Sequence, residues 1–322
     1  MDLSKPAREV MRPHRDPTKC EDTPTTRAPT FGFMRPIHPC QLHLSCVLLL
    51  GIAACATSAP PGKGHAASSG SASASQNAAE VASAPGGGEF RLLWQDDFDK
   101  LDSSRWQLMT HSWDGNLAQF STRNTKFENG LATLLLTRDS SDPNKPFRGV
   151  EMRSIETITY GKVEARARFA KGSGVVSALV LIYTPWPADD WNELDIEYLG
   201  RYSGKVQFNA QVYTGPPVAK PARRAVKPEE DPEMVSLGIA PSADFHVYGI
   251  EWTPTVARFL VDGEVKRTWS SQIARMKLPQ NILLTIWASG AEAWAGPIKP
   301  SSVPTTADFD WLRVYKWVPG NP

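Results

Sequence analysis

Trp191-Asn192-Glu193-Leu194-Asp195-Ile196-Glu197-Tyr198-Leu199-Gly200 places three carboxylates at every second position, with Leu194 and Ile196 between them. A period of two is that of a β-strand, so Glu193, Asp195 and Glu197 share one face while Leu194 and Ile196 point into a core. Three acids side by side repel one another and cost stability unless a site uses them. An exposed acidic strand or a metal site are the plain alternatives, but a solvated face rarely gathers one sign of charge so tightly.

Glycoside hydrolysis with retention of configuration uses such a row. One carboxylate is the nucleophile, a second carboxyl is acid and then base, and their oxygens lie roughly 5–5.5 Å apart. On a flat strand the Cα atoms of Glu193 and Glu197 are about 13 Å apart at ~3.3 Å per residue, so the side chains must lean together, helped by a concave strand. Asp195 between them can hydrogen-bond one glutamate, and crowding keeps one member protonated near neutral pH.

The triplet Glu193-x-Asp195-x-Glu197 resembles the E-x-D-x-E signature of glycoside hydrolase family 16, and the longer run through Lys205-Val206-Gln207-Phe208-Asn209 is similar to the bacterial lichenases of that family. Similar segments lie in order from Glu151-Met152-Arg153-Ser154 and Tyr160–Arg166 to Val261-Asp262-Gly263, Ile286-Trp287, Trp294 and Asp308–Trp311. The resemblance implies an all-β, concanavalin A-like jelly-roll β-sandwich with a concave substrate cleft. It implies Glu193 as nucleophile, Asp195 as assisting carboxylate and Glu197 as general acid/base. It further implies substrate contacts from Glu151, Arg153, Tyr183, Trp191, Asn209, Trp287 and Trp294. No cofactor is required for this chemistry. The family often holds a structural calcium, here through Asp310. The uninterrupted triplet is nearer to lichenases than to laminarinases, whose signature usually carries one extra residue. Two features depart from the pattern. Thr285 stands where lichenases typically carry asparagine, and Gly215–Glu233 is long, with five prolines, four basic and then four acidic residues. A solvated loop or a cap on one end of the cleft both fit that segment.

Composition separates this region from what precedes it. All eleven tryptophans fall between Trp94 and Trp317, and residues 89–318 are long enough for one all-β domain with a sizeable core. The net charge of +1 implies no pull toward nucleic acid and suits a neutral polysaccharide such as β-glucan. All four cysteines lie at positions 20, 40, 46 and 55, so the domain holds no disulfide.

The N-terminal region reads as a targeting segment. Gln41–Ala54 is apolar but short for a membrane span, and Ile52-Ala53-Ala54-Cys55 looks like a bacterial lipobox. Residues 34–54 are therefore expected to be a lipoprotein-type signal peptide, with cleavage before Cys55 and lipid attached there; an ordinary secretory signal is the alternative. Residues 1–33 are an upstream mis-start or a disordered extension. Residues 55–88, rich in Ser, Ala and Gly, form a tether spanning roughly 30 Å. These features place a monomeric enzyme outside the cytoplasm, anchored to a membrane or secreted.

Strands are expected at 131–137, 162–169, 175–183, 193–198, 205–213, 245–252, 257–261, 264–269, 281–288 and 307–316, with a short helical turn within 270–277. Asp262-Gly263 signals a two-residue hairpin. Trp94, Trp252, Trp311 and Trp317 are assigned to the core, and His111 and His246 receive no role. The expected activity is a retaining endo-β-glucanase. A transglycosylase with the same residues and a non-catalytic carbohydrate-binding module are the alternatives.

Overall fold

The structure, a computed structural model, describes residues 81–184, 190–213 and 229–320. In chain order the first strands are β1 (Val81–Ser83), β2 (Glu89–Asp96), β3 (Trp106–Leu108), β4 (Ala118–Phe120), β5 (Thr125–Glu128) and β6 (Leu131–Arg138). β7 (Phe147–Ile158), β8 (Gly161–Arg168), β9 (Val175–Ile182), β10 (Trp191–Leu199), β11 (Lys205–Tyr213) and β12 (Glu229–Glu230) follow. β13 (Glu233–Ser236), β14 (His246–Trp252), β15 (Ala257–Val261), β16 (Glu264–Trp269), β17 (Gln280–Ala288) and β18 (Thr305–Val318) complete the set. Among the described residues the one α-helical turn is Glu292–Ala295.

The strands fold over into two antiparallel layers. One runs β3-β7-β17-β9-β10-β11, with β12 and β13 both on the far edge of β11. The other runs β18-β8-β14-β15-β16, and the free edge of β18 takes β6 along its first half and β2 along its second. This is the expected jelly-roll sandwich.

Alternation decides what each strand gives to the interior. Leu194, Ile196 and Tyr198 of β10 are fully buried and join Leu179, Phe208, Val163 and Leu312 in one core shared by both layers. Burying each of the aliphatic side chains contributes about 1.5–3 kcal/mol. Aromatic contacts cross between the layers, with ring centroids 5.9 Å apart for Phe169–Tyr198 and 5.3 Å for Phe208–Phe259. β9 is buried along its whole length because its second face, Ala178, Val180 and Ile182, forms a separate apolar patch with Leu283.

Several expectations need correction. The last residues of the proposed tether are folded: β1 pairs with β2, Ala82 opposite Phe90, so Pro85-Gly86-Gly87-Gly88 is a hairpin turn. Three consecutive glycines with positive φ suit that turn. The twelve residues of β7 form one long strand absent from the expected set, because Arg148, Glu151, Arg153 and Glu156 break its apolar pattern. Trp311 is half-buried under Arg313 on the outer face, its ring centroid 4.5 Å from the guanidinium carbon, and not in the core. The signal segment, Cys55 and residues 214–228 lie outside the described residues.

Gly200 follows β10 where its backbone packs against the segment from Ala170 to Gly172. A Cβ there would stand 2.6 Å from the Gly172 carbonyl oxygen and 2.7 Å from that of Ala170. Gly200→Ala is expected to cost about 1–3 kcal/mol through overpacking against atoms that cannot rotate away. A thermal melt checks this, and an unchanged midpoint would show that the β10 terminus relaxes freely.

Candidate active site

Cross-strand register turns one face of the first layer into a grid. The row through Glu193 reads Asn281, Ile182, Glu193, Gln211 and Glu230. The next reads Arg153, Leu283, Val180, Asp195 and Asn209. The third reads Glu151, Thr285, Ala178, Glu197 and Gln207. All of these side chains except Asn281 line a cleft of about 450 Å³. Its floor is apolar along β9 and β17, and polar along β10 and β11.

The three carboxyls occupy the middle of the polar half. Glu193 Oε2 accepts from the Trp191 indole at 2.7 Å, and Asp195 Oδ2 from Gln211 at 3.1 Å. Glu197 Oε2 accepts from Gln207 at 3.3 Å, and the Gln207 carbonyl accepts from the Trp294 indole at 2.9 Å. That last bond orients the amide so that its NH₂ faces Glu197. The contact between the Glu193 and Asp195 carboxyls raises the proton affinity of Glu193 and lowers that of Asp195.

Burial raises the proton affinity of all three groups, and their mutual repulsion adds to it. Glu193 is held well above the ordinary glutamate range by burial and then by the charge of Asp195. Asp195 is raised by burial and by Glu197. Glu197 is pushed up to about 8 by burial, then by Glu193 and Glu230. At neutral pH the cluster therefore favours a protonated carboxyl at Glu197, and Glu193 and Asp195 also hold protons more tightly than free carboxyls do.

A wall of aromatic rings stands beside the floor. Trp113 packs on Trp287 with centroids 5.1 Å apart, and Trp287 on Trp294 at 5.9 Å. Lys145 Nζ holds the Trp113 carbonyl at 2.7 Å. At the β7 end the Arg153 guanidinium donates to Glu151 Oε1, Nε at 2.9 Å, and His111 Nε2 lies 3.5 Å from Glu151 Oε2. Asn209 Oδ1 and Thr285 Oγ1 are buried with no partner among the described residues.

Of the expected site residues, Glu193, Asp195, Glu197, Glu151, Arg153, Trp191, Asn209, Trp287 and Trp294 all line the cleft. Tyr183 does not. The cleft face of β9 carries even-numbered residues, so Thr184 lines the cleft and Tyr183 falls on the other parity. Asp310 lies on the second layer, where its carboxylate takes the Arg166 guanidinium. Among the described residues no group of three or more His, Cys, Asp or Glu side chains gathers to hold a metal. Gln207 and Gln211 were missed, although they share the parity of Asn209 on β11. His111 and Trp113 were also missed, because they come from an irregular segment without periodicity.

The raised Glu197 carboxyl has a consequence for stability. An unfolded glutamate ionises near 4.5, whereas Glu197 in the fold ionises near 8. Between those values the folded state keeps a proton that the unfolded chain has lost, so this group's contribution to stability falls as pH rises through that window. Glu197→Gln, which cannot ionise, is expected to melt above the wild type at pH 8 by a wider margin than at pH 4.5. Paired melts at the two pH values measure this; an equal margin would contradict the raised carboxyl.

Residues 113–313 match the family described as Glycosyl hydrolases family 16. The Beta-glucanase of Fibrobacter succinogenes is 37% identical over 182 residues, covering 55% of this chain and 49% of that protein. This chain thus spans about half of that relative's length. The Beta-glucanase of Bacillus subtilis is 32% identical over 238 residues, covering 73% of this chain and 90% of that one. A solved prokaryotic β-1,3-1,4-glucanase (lichenase) from a mouse hindgut metagenome superposes with a TM-score of 0.59 at 28% identity, over 70% of this chain and 99% of that one. With its cleft, its row of carboxyls and these relatives in agreement, the chain belongs to glycosyl hydrolase family 16.

Proposed function

We propose that this protein is a retaining endo-β-glucanase. The observation that carries the reading is Glu193, Asp195 and Glu197 side by side on the cleft floor, with Glu197 protonated at neutral pH. Glu193 attacks the anomeric carbon as the glycosidic C–O bond breaks, and Glu197 gives its proton to the leaving oxygen. A proton held by Glu193 passes to Asp195 as Glu193 attacks, so the nucleophile reacts as a carboxylate and its charge is lost to the ester. Loss of that charge lowers the proton affinity of Glu197, since Glu193 is one of the charges holding it up. Glu197, now a carboxylate, takes a proton from water; the water oxygen attacks the anomeric carbon and Glu193 leaves as carboxylate.

The aromatic wall and the apolar strip of Ala178, Val180, Ile182 and Leu283 suit the C–H faces of pyranose rings, while Asn209 and Thr285 suit their hydroxyls. Mixed 1,3-1,4 linkage is the preferred substrate in this reading. The uninterrupted triplet and the likeness to a lichenase at 28% identity support it. We further propose that Cys55 carries a lipid anchor holding a monomeric enzyme outside the cytoplasm; the motif Ile52-Ala53-Ala54-Cys55 after an apolar stretch supports it.

Glu197→Gln is expected to lower kcat roughly 10²–10⁴-fold, the usual worth of a general acid. Glu193→Gln, which removes the nucleophile, is expected to lower it at least as much, with both variants folded. Product analysis on barley β-glucan, lichenan, laminarin and agarose, with the first-formed anomer read by NMR, tests the whole reading. Short mixed-linkage oligosaccharides from the first two with retained configuration support it. Normal rates in either variant would overturn the assignment of roles. Lengthened products with oligosaccharide acceptors would move the second step to a transglycosylase, and binding without product on every glycan would leave a carbohydrate-binding module.

A further inference from the structure

Beyond residues 214–228 the chain returns to the edge of β11 as β12, with Glu230 opposite Gln211 and Glu229 opposite Val212. Gln211 is opposite Glu193, so Glu230 extends the row of that glutamate, two strands away and about 10 Å across the sheet at ~4.8 Å per strand. Its side chain lines the cleft.

The acids flanking Glu230 are tied down by arginines. Glu229 accepts from Arg275 at 2.9 Å. Arg267, buried beneath the segment, binds Asp231 Oδ1 at 2.8 Å and Glu233 Oε2 at 3.0 Å. It also donates to the carbonyls of Phe208 at 2.7 Å and Asp231 at 2.6 Å. Three of the four acids in Glu229–Glu233 are thus neutralised, while no cation among the described residues pairs with Glu230. The other charged groups facing the cleft are Glu193, Asp195 and Glu197 on β10, Glu151 and Arg153 on β7, and His111. Arg153 is committed to Glu151, and burial lowers the proton affinity of His111. The cleft therefore offers an incoming anion no free fixed cation among the described residues. Independently, Asn209 Oδ1, on a side chain 4% exposed, is an acceptor without a donor, which a sugar hydroxyl can supply and a carboxylate or sulfate cannot.

We infer that Glu230 is a specificity-determining residue, whose exposed carboxylate at the cleft edge makes the cleft accept uncharged, hydroxyl-rich glycans and turn away chains bearing carboxylate or sulfate groups. This rests on the glycan-hydrolase reading of the cleft and adds which glycans it refuses.

The test compares kcat/KM on barley β-glucan and on the same glucan carboxymethylated, for the wild type and Glu230→Gln. The wild type is expected to favour the neutral chain. Glu230→Gln is expected to raise the carboxymethylated-to-neutral ratio about five- to tenfold, tenfold being ~1.4 kcal/mol. In the same variant the alkaline limb of kcat/KM moves to lower pH, since Glu230 is one of the charges raising Glu197. Salt gives a second measurement on the unmodified protein. Raising ionic strength from 0.01 to about 1 M shortens the screening length from ~30 to ~3 Å and narrows the wild type's preference. An unchanged ratio in the variant, or a wild-type preference indifferent to salt, overturns the inference. Hydrolysis of neither glucan by the wild type would overturn the hydrolase reading instead. Affinity electrophoresis through the two glucans then decides the charge inference on binding alone, and equal retardation overturns it.

Discussion

One backbone, β10, separates two environments that cannot mix. On one side Leu194, Ile196 and Tyr198 are sealed in the core, and on the other Glu193, Asp195 and Glu197 face the cleft. A slip of one residue would drive three carboxyls into hydrocarbon, so the register of β10 against β9 and β11 is strongly specified. Both neighbours are shaped by that requirement. β9 offers small and aliphatic residues on both faces, with Ala178 opposite Glu197 and Val180 opposite Asp195. β11 offers apolar residues inward and the amides of Gln207, Asn209 and Gln211 outward, opposite the three acids.

The carboxyl row is tolerated because burial and repulsion disfavour its full ionisation near neutral pH. Together they keep protons in the cluster, and one indole or amide donor reaches each carboxyl, while Asp195 Oδ1 is buried with no partner among the described residues. The arrangement costs stability as pH rises, which is the usual sign of a site selected for chemistry rather than for folding. With no cysteine beyond residue 55, the layers must carry that cost through packing alone.

Much of this was legible in the residues, for physical reasons that differ from place to place. β11, β15 and β16 were bounded correctly because alternation and the Asp262-Gly263 turn mark both ends. The carboxyl triplet was legible because period two and one sign of charge coincide in it. β7 was hidden because its cleft-facing residues are charged, so a strand that serves the site does not look amphipathic. Tyr183 was misplaced by one position at a strand end, enough to change its face. His111 and Trp113 reach the cleft from segments without period, and only tertiary structure brings them there. Gln207 and Gln211 needed nothing more than the parity of Asn209 applied along the strand.

The grid also divides labour by column rather than by row. Strands β9 and β17 present a low apolar strip on which a ring can lie flat, whereas β10 and β11 carry the three carboxyls and the amides opposite them. A pyranose has the same division, with apolar C–H faces and a polar rim. Lying on the strip, it brings that rim against the carboxyls without placing any ionised group beneath its hydrophobic face. Side chains that bind can therefore vary along one pair of strands while the chemistry stays fixed on the other. At the edge beyond β11 the strand β12 adds one more polar column, and its Glu230 extends the row of Glu193 by one more carboxyl.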